Sequence, residues 1–222
     1  MVRHRLSLFS AIAVSMLAVT MPARAASPAV AVPPIAATDQ YLMLDGARIR
    51  VRTEGAADAP PVILIHGFTF SLESWDGWAT DLSRDHRVIR YDLAGHGLSD
   101  AEPNGRYGTA DRVAQLLALM NKLGIARAVI GGNSFGGLIA WNFAAAHPDR
   151  VTKLILVDSA AFSINGVTEK PVPVPPAMKA YLLDPSPAGI AYSAAQIYAH
   201  PERLTAARRE QMRAMIARNG PA

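Results

Sequence analysis

Gly132-Asn133-Ser134-Phe135-Gly136 is the stretch where residue types and spacing could support covalent chemistry. Glycines two places before and after a serine suit a very sharp turn, because side chains at those positions would collide across it. A turn of that kind between a strand and a helix lifts the serine Oγ off a sheet. It also sets the Oγ at a helix N-terminus, where the dipole favours developing negative charge. Ser134 is thus the candidate nucleophile for attack on a carbonyl. A serine hydroxyl reacts poorly at neutral pH without a general base, and that base needs an orienting acid.

The surrounding elements must supply the turn. Ala128–Gly131 reads as a strand, and Phe135–His147 as a helix stopped by Pro148. Upstream, Tyr41–Leu44 and Arg48–Thr53 flank Asp45-Gly46, a hairpin signal. Pro61–His66 is a continuous apolar run of the kind buried on both faces, and Lys153–Val157 is another. Arg87–Tyr91 reads as a strand, and a helix is predicted around Ser74–Ser83. Thr109 is placed to cap a helix whose apolar positions are Val113, Leu116, Leu117, Met120 and Leu123, closed by Gly124. Strands alternating with helices imply a mostly parallel sheet with helices on both faces. Beyond Asp158 the pattern changes: Pro171–Pro176 suits neither helix nor central strand. An amphipathic helix follows through Leu204, Ala207, Met212, Met215 and Ile216. Its arginines (Arg203, Arg208, Arg209, Arg213 and Arg218) read as a solvated face.

GGNSFGG, the His66-Gly67-Phe68 that follows an apolar strand, and YDLAGHGLSD (Tyr91–Asp100) stand in the order seen in the α/β-hydrolase superfamily. His147–Ala160 resembles that family's passage out of the nucleophile helix into the next strand. The resemblance covers residues 39–165 and favours the lid-bearing serine esterases and carbon–carbon hydrolases. Serine rather than aspartate at 134 argues against the dehalogenase and epoxide-hydrolase branches. The resemblance implies Ser134 as nucleophile and the backbone N–H groups of Phe68 and Phe135 as the oxyanion hole. His66 is then expected to support the oxyanion loop. Asp92 and His96 are expected to fix the turn that contains them, and His147 to meet carbonyls at a helix end.

In this fold the acid and then the histidine follow the serine along the chain. Here the acid and histidine are expected beyond residue 222. Asp158 at a strand end and His200 beside Pro201 are weaker candidates within the chain. Lys153–Val157 reads as an interior strand with a neighbour on each side, which also points to the N-terminal part of a longer hydrolase. The competing expectation is a non-catalytic binding or scaffold protein on the same fold.

The 222 residues divide into residues 1–25 as a signal peptide and 26–38 as a flexible Pro/Ala-rich leader. Residues 39–160 form the core, and 161–222 an incomplete cap. The first segment has a basic start, a 16-residue apolar run and Ala23-Arg24-Ala25, so cleavage is expected after Ala25. That predicts a periplasmic or secreted protein that meets the membrane only transiently. Of the formal +4 charge, Arg3, Arg5 and Arg24 carry three, leaving +1 and no argument for nucleic acid. The absence of cysteine excludes disulfides, thiolate metal sites and a cysteine nucleophile. No cofactor and no metal is implied, and the expected partner is a small-molecule substrate.

Overall fold

The computed structural model describes residues 39–160 and 183–219, with residues 176 and 179 between them. The expected signal peptide, the leader and much of the first half of the cap lie outside those residues. Six strands form one mixed sheet: β1 (Asp39–Leu44), β2 (Ala47–Glu54), β3 (Pro61–Ile65), β4 (Arg87–Tyr91), β5 (Ala128–Asn133) and β6 (Val151–Val157). Their spatial order is β1-β2-β4-β3-β5-β6. The β1–β2 hairpin is antiparallel and turns at Asp45 and Gly46, which both hold the positive φ that such a turn requires. β2 runs antiparallel to β4, and β4, β3, β5 and β6 are mutually parallel.

The apolar run of β3 is buried on both sides, as its composition predicts. Val62 and Leu64 pack with Val88, Trp75 and Ala79 of α1 (Asp76–Leu82) on one face. Ile63 and Ile65 join the larger core beneath α2 (Thr109–Lys122) and α3 (Phe135–Ala146), among Leu116, Met120, Ile139 and Phe143. Thr109 proves to be the first helical residue of α2 rather than its cap. The cap is Gly108, whose N–H donates to Asp111 Oδ2 at 3.0 Å. Gly124 closes the helix as expected, with φ 67°, its N–H on Asn121 O and the Ile125 N–H on Met120 O.

β6 is the outermost strand among the described residues, and Leu154 and Leu156 are exposed there. The neighbour expected on its second side is not found among those residues. The described part of the region expected to be the cap holds the helices α4 (Pro187–Ile197), which the sequence pattern did not reveal, and α5 (Ala206–Asn219). Ile190 and Met212 join them, with Tyr198 and Ile216 against the same cluster. No helix among the described residues is long and apolar enough to cross a membrane.

Candidate active site

Ser134 stands alone between the end of β5 and the start of α3, as the glycine spacing requires. Its backbone has φ 51° and ψ −115°, a region that costs a non-glycine residue about 1–3 kcal/mol. Neighbouring strands impose that shape. The Ser134 N–H donates to Val157 O (3.0 Å) at the end of β6, and the Ser134 carbonyl accepts the N–H of Ala160 (2.9 Å) and Leu138 (3.1 Å). The flanking glycines are there for space. A Cβ on Gly132 would fall on the Gly136 carbonyl, and one on Gly136 would fall on the carbonyls of Ile65 and His66. Gly136→Ala is therefore expected to lower stability by about 1–3 kcal/mol in urea unfolding, since both clashing groups are backbone. An unchanged midpoint would contradict this close approach.

The loop after β3 lies against this turn. A Cβ on Gly67 would sit 3.4 Å from Ser134 Cβ and 2.9 Å from Asn133 Oδ1. The Phe68 ring meets that of Phe135 edge-on, with centroids 6.1 Å apart. Phe135 is the first residue of α3, so its N–H has no acceptor within the helix. The Gly67 carbonyl accepts twice, from the Phe70 N–H (3.1 Å) and from His66 Nδ1 (2.8 Å). His66 has the tautomer for this, because its Nε2 accepts the Leu93 N–H at 3.0 Å. Thr69, inside this turn, has φ 66°, unusual for a β-branched residue.

His66 is fully buried. Burial, helped by the neighbouring His96, drives its pKa down to about 3. His96 falls to about 4, again chiefly through burial, although its Nδ1 contact with Ala94 O works the other way. Both are neutral when folded, whereas an unfolded chain takes up protons below about pH 6.5. Their contribution is thus complete above that pH and is lost as pH falls toward 4. Thermal melts between pH 7 and 4.5 are expected to show a smaller loss of Tm in His96→Gln than in the parent. Equal slopes would remove His96 from the account.

Asp92 fixes its turn as expected. One carboxylate oxygen accepts the Leu72 N–H (2.7 Å), and the other accepts the Leu98 N–H (2.8 Å). Burial and the Glu73 charge raise its pKa to about 6, against the pull of Arg50. The network around it was not anticipated. Arg50 is 2% exposed and donates to Asp39 (2.7 Å), Glu73 (2.6 Å) and Asp92 (3.3 Å). Arg90 is equally buried. It binds Glu54 through two nitrogens and also reaches Asp76 and the Leu72 carbonyl.

The weaker triad candidates are not brought together. Asp158 is exposed just past β6 with φ 43°. His200 is exposed between α4 and α5, with Nδ1 3.0 Å from Glu202. His147 closes α3 with its backbone N–H on Phe143 O rather than with its ring. The arginines of α5 depart from the solvated face expected of them, since Arg208 approaches Glu73 (3.8 Å) and Arg218 approaches Asp100 (3.6 Å).

Residues 60–191 match the family model described as the alpha/beta hydrolase fold. The chain belongs to the α/β-hydrolase family. The chain is 32% identical over 129 residues to 2-hydroxy-6-oxo-2,4-heptadienoate hydrolase of Pseudomonas putida, covering 57% of this chain and 46% of that protein. It is 31% identical over 139 residues to epoxide hydrolase 4 of Mus musculus, covering 61% and 39%. Among solved structures, naproxen esterase of Bacillus subtilis superposes with a TM-score of 0.67 at 25% identity, covering 81% of this chain and 60% of that one. The matched stretch of the chain thus spans less than half the length of these curated relatives.

Proposed function

We propose that the protein is an exported serine hydrolase of small, fairly apolar esters or related acyl compounds. Ser134 is its nucleophile, and the N–H groups of Phe68 and Phe135 form its oxyanion hole. The observation that carries the proposal is the strained Ser134 backbone, held in place by β6 on one side and backed by Gly67 on the other. In a trans peptide the N–H points away from the carbonyl. With the Gly67 carbonyl held by His66 and Phe70, the Phe68 N–H on the same peptide is aimed away from both.

Ser134 Oγ adds to the substrate carbonyl carbon as its proton passes to a general base. The carbonyl electron pair moves to oxygen, and the two N–H groups bind that charge. Collapse expels the alcohol, which takes the proton, and water then releases the acid by the same steps. His66 and His96 hold loops and His147 ends a helix. His200 pairs with Glu202, and His86 precedes β4 at the opposite end of the parallel strands from Ser134, so the base is a histidine outside the described residues. Apolar rings of Phe68 and Phe135 beside Ser134 favour an apolar acyl group.

The test is labelling of the full-length protein with a serine-directed phosphonate, followed by peptide mass analysis. The expected adduct is on Ser134. Ligand binding without labelling or turnover would favour a binding protein on the same fold instead.

A further inference from the structure

The turn carrying Gly67 and Phe68 is held from below by the core and from above by the cap. Below, Asp92 accepts the Leu72 N–H, and Arg90 donates to the Leu72 carbonyl. Above, the ring of Tyr198, just past α4, lies 5.9 Å from that of Phe70, the residue whose N–H binds the Gly67 carbonyl. Arg208 on α5 brings Nη1 to 3.8 Å from Glu73 Oε2. That oxygen is buried and has no hydrogen-bond partner among the described residues, while Oε1 is taken by Arg50.

Charge explains why this contact matters. Asp39, Glu73 and Asp92 are three buried carboxylates facing two guanidiniums, Arg50 and Arg52. Arg208 is the third, with its side chain 17% exposed and Glu73's 4% exposed, so water does little to screen the pair. Gln211, one turn further along α5, steadies the same guanidinium at 2.6 Å.

We propose that Arg208 and Tyr198 are positioning residues. By gripping Glu73 and Phe70 they order the turn that presents the Phe68 N–H, so that cap docking and completion of the oxyanion hole are one event. This rests on the assignment of Phe68 as an oxyanion donor. An undocked cap leaves Glu73 Oε2 without its cation and removes the ring that packs on Phe70, so that the Gly67 carbonyl is held firmly by His66 alone. Docking then acts on rate as well as on access.

Hydrogen exchange on the 222-residue chain tests this without requiring turnover. In Arg208→Gln, amides of Phe70–Trp75 are expected to exchange at least about tenfold faster, while β5 amides keep their protection. Arg208→Lys restores most of the protection. Tyr198→Leu, which leaves the charges intact, is expected to loosen Phe70 in the same way and keeps the test open if Arg208→Gln does not fold. In the active full-length protein, Arg208→Gln lowers kcat with KM little changed. Unchanged exchange in Phe70–Trp75, equal loosening of β5, or a rise in KM alone would overturn the proposal. Turnover retained in Ser134→Ala would instead overturn the nucleophile assignment and leave the exchange result standing.

Discussion

Ser134→Ala in the full-length protein is expected to lower ester hydrolysis by about 10⁴- to 10⁶-fold and to abolish the phosphonate adduct. Alanine keeps a Cβ at φ 51°, so this substitution removes the Oγ but not the backbone strain. Ser134→Gly is expected to be just as inactive yet more stable, by about 1 kcal/mol once the extra freedom of glycine in the unfolded chain is set against the relieved strain. The pair separates the chemistry of the hydroxyl from the conformation that presents it. Activity and urea unfolding measured on both variants give the answer. A glycine variant no more stable than the parent would mean that no strain is stored at this turn.

Arg50→Ala is expected to cost about 3–5 kcal/mol, the usual range for removing one partner of a buried charge cluster. Asp39, Glu73 and Asp92 would then be left with Arg52 and the more distant Arg208. Burial opposes ionisation of Glu73, but the charge and hydrogen bond of Arg50, with help from Ser71 and Arg208, together outweigh it and hold that pKa below the ordinary value. Without Arg50 the folded-state pKa values of Glu73 and Asp92 rise. Stability is then present at lower pH and is lost as pH rises through the new values. The variant should therefore gain more stability than the parent between pH 7 and pH 5, as read from urea midpoints. A cost below about 1 kcal/mol at pH 7 would show that water enters the cluster and screens it.

The strand–turn–helix around Ser134 was legible because local rules govern it. Glycine spacing, the apolar run of β3 and the Schellman closure at Gly124 each act within a few residues. The Arg50 cluster was not legible for the opposite reason. Arg48, Arg50 and Arg52 alternate along β2 like the solvated face of a hairpin, and only folding brings Asp39, Glu73 and Asp92 to the middle one. The α5 arginines were misread in the same way, since their partners Glu73 and Asp100 lie over a hundred positions away. His66 followed by glycine marked the loop after β3, but nothing local indicated that its ring would hold the Gly67 carbonyl. Tyr198 reaches Phe70 only through the path of the cap.

The order of strands also sets a timetable. β1 and β2 pair across a two-residue turn, and β4 returns to β2 soon afterwards. The centre of the sheet must wait, because Ile63 of β3 meets Ile130 of β5 some 67 positions later. Pairings that distant form slowly, since a long stretch of chain must be confined before the contacts compensate. Ser134 waits longer still, because the groups that hold its backbone are Val157 O and the Ala160 N–H. The Ser134 turn is thus a late product of folding, set only after the ribosome has delivered residue 160. Until then β1–β5 can pair, but Ser134 lacks the two partners, at the end of β6 and just beyond it, that fix its backbone.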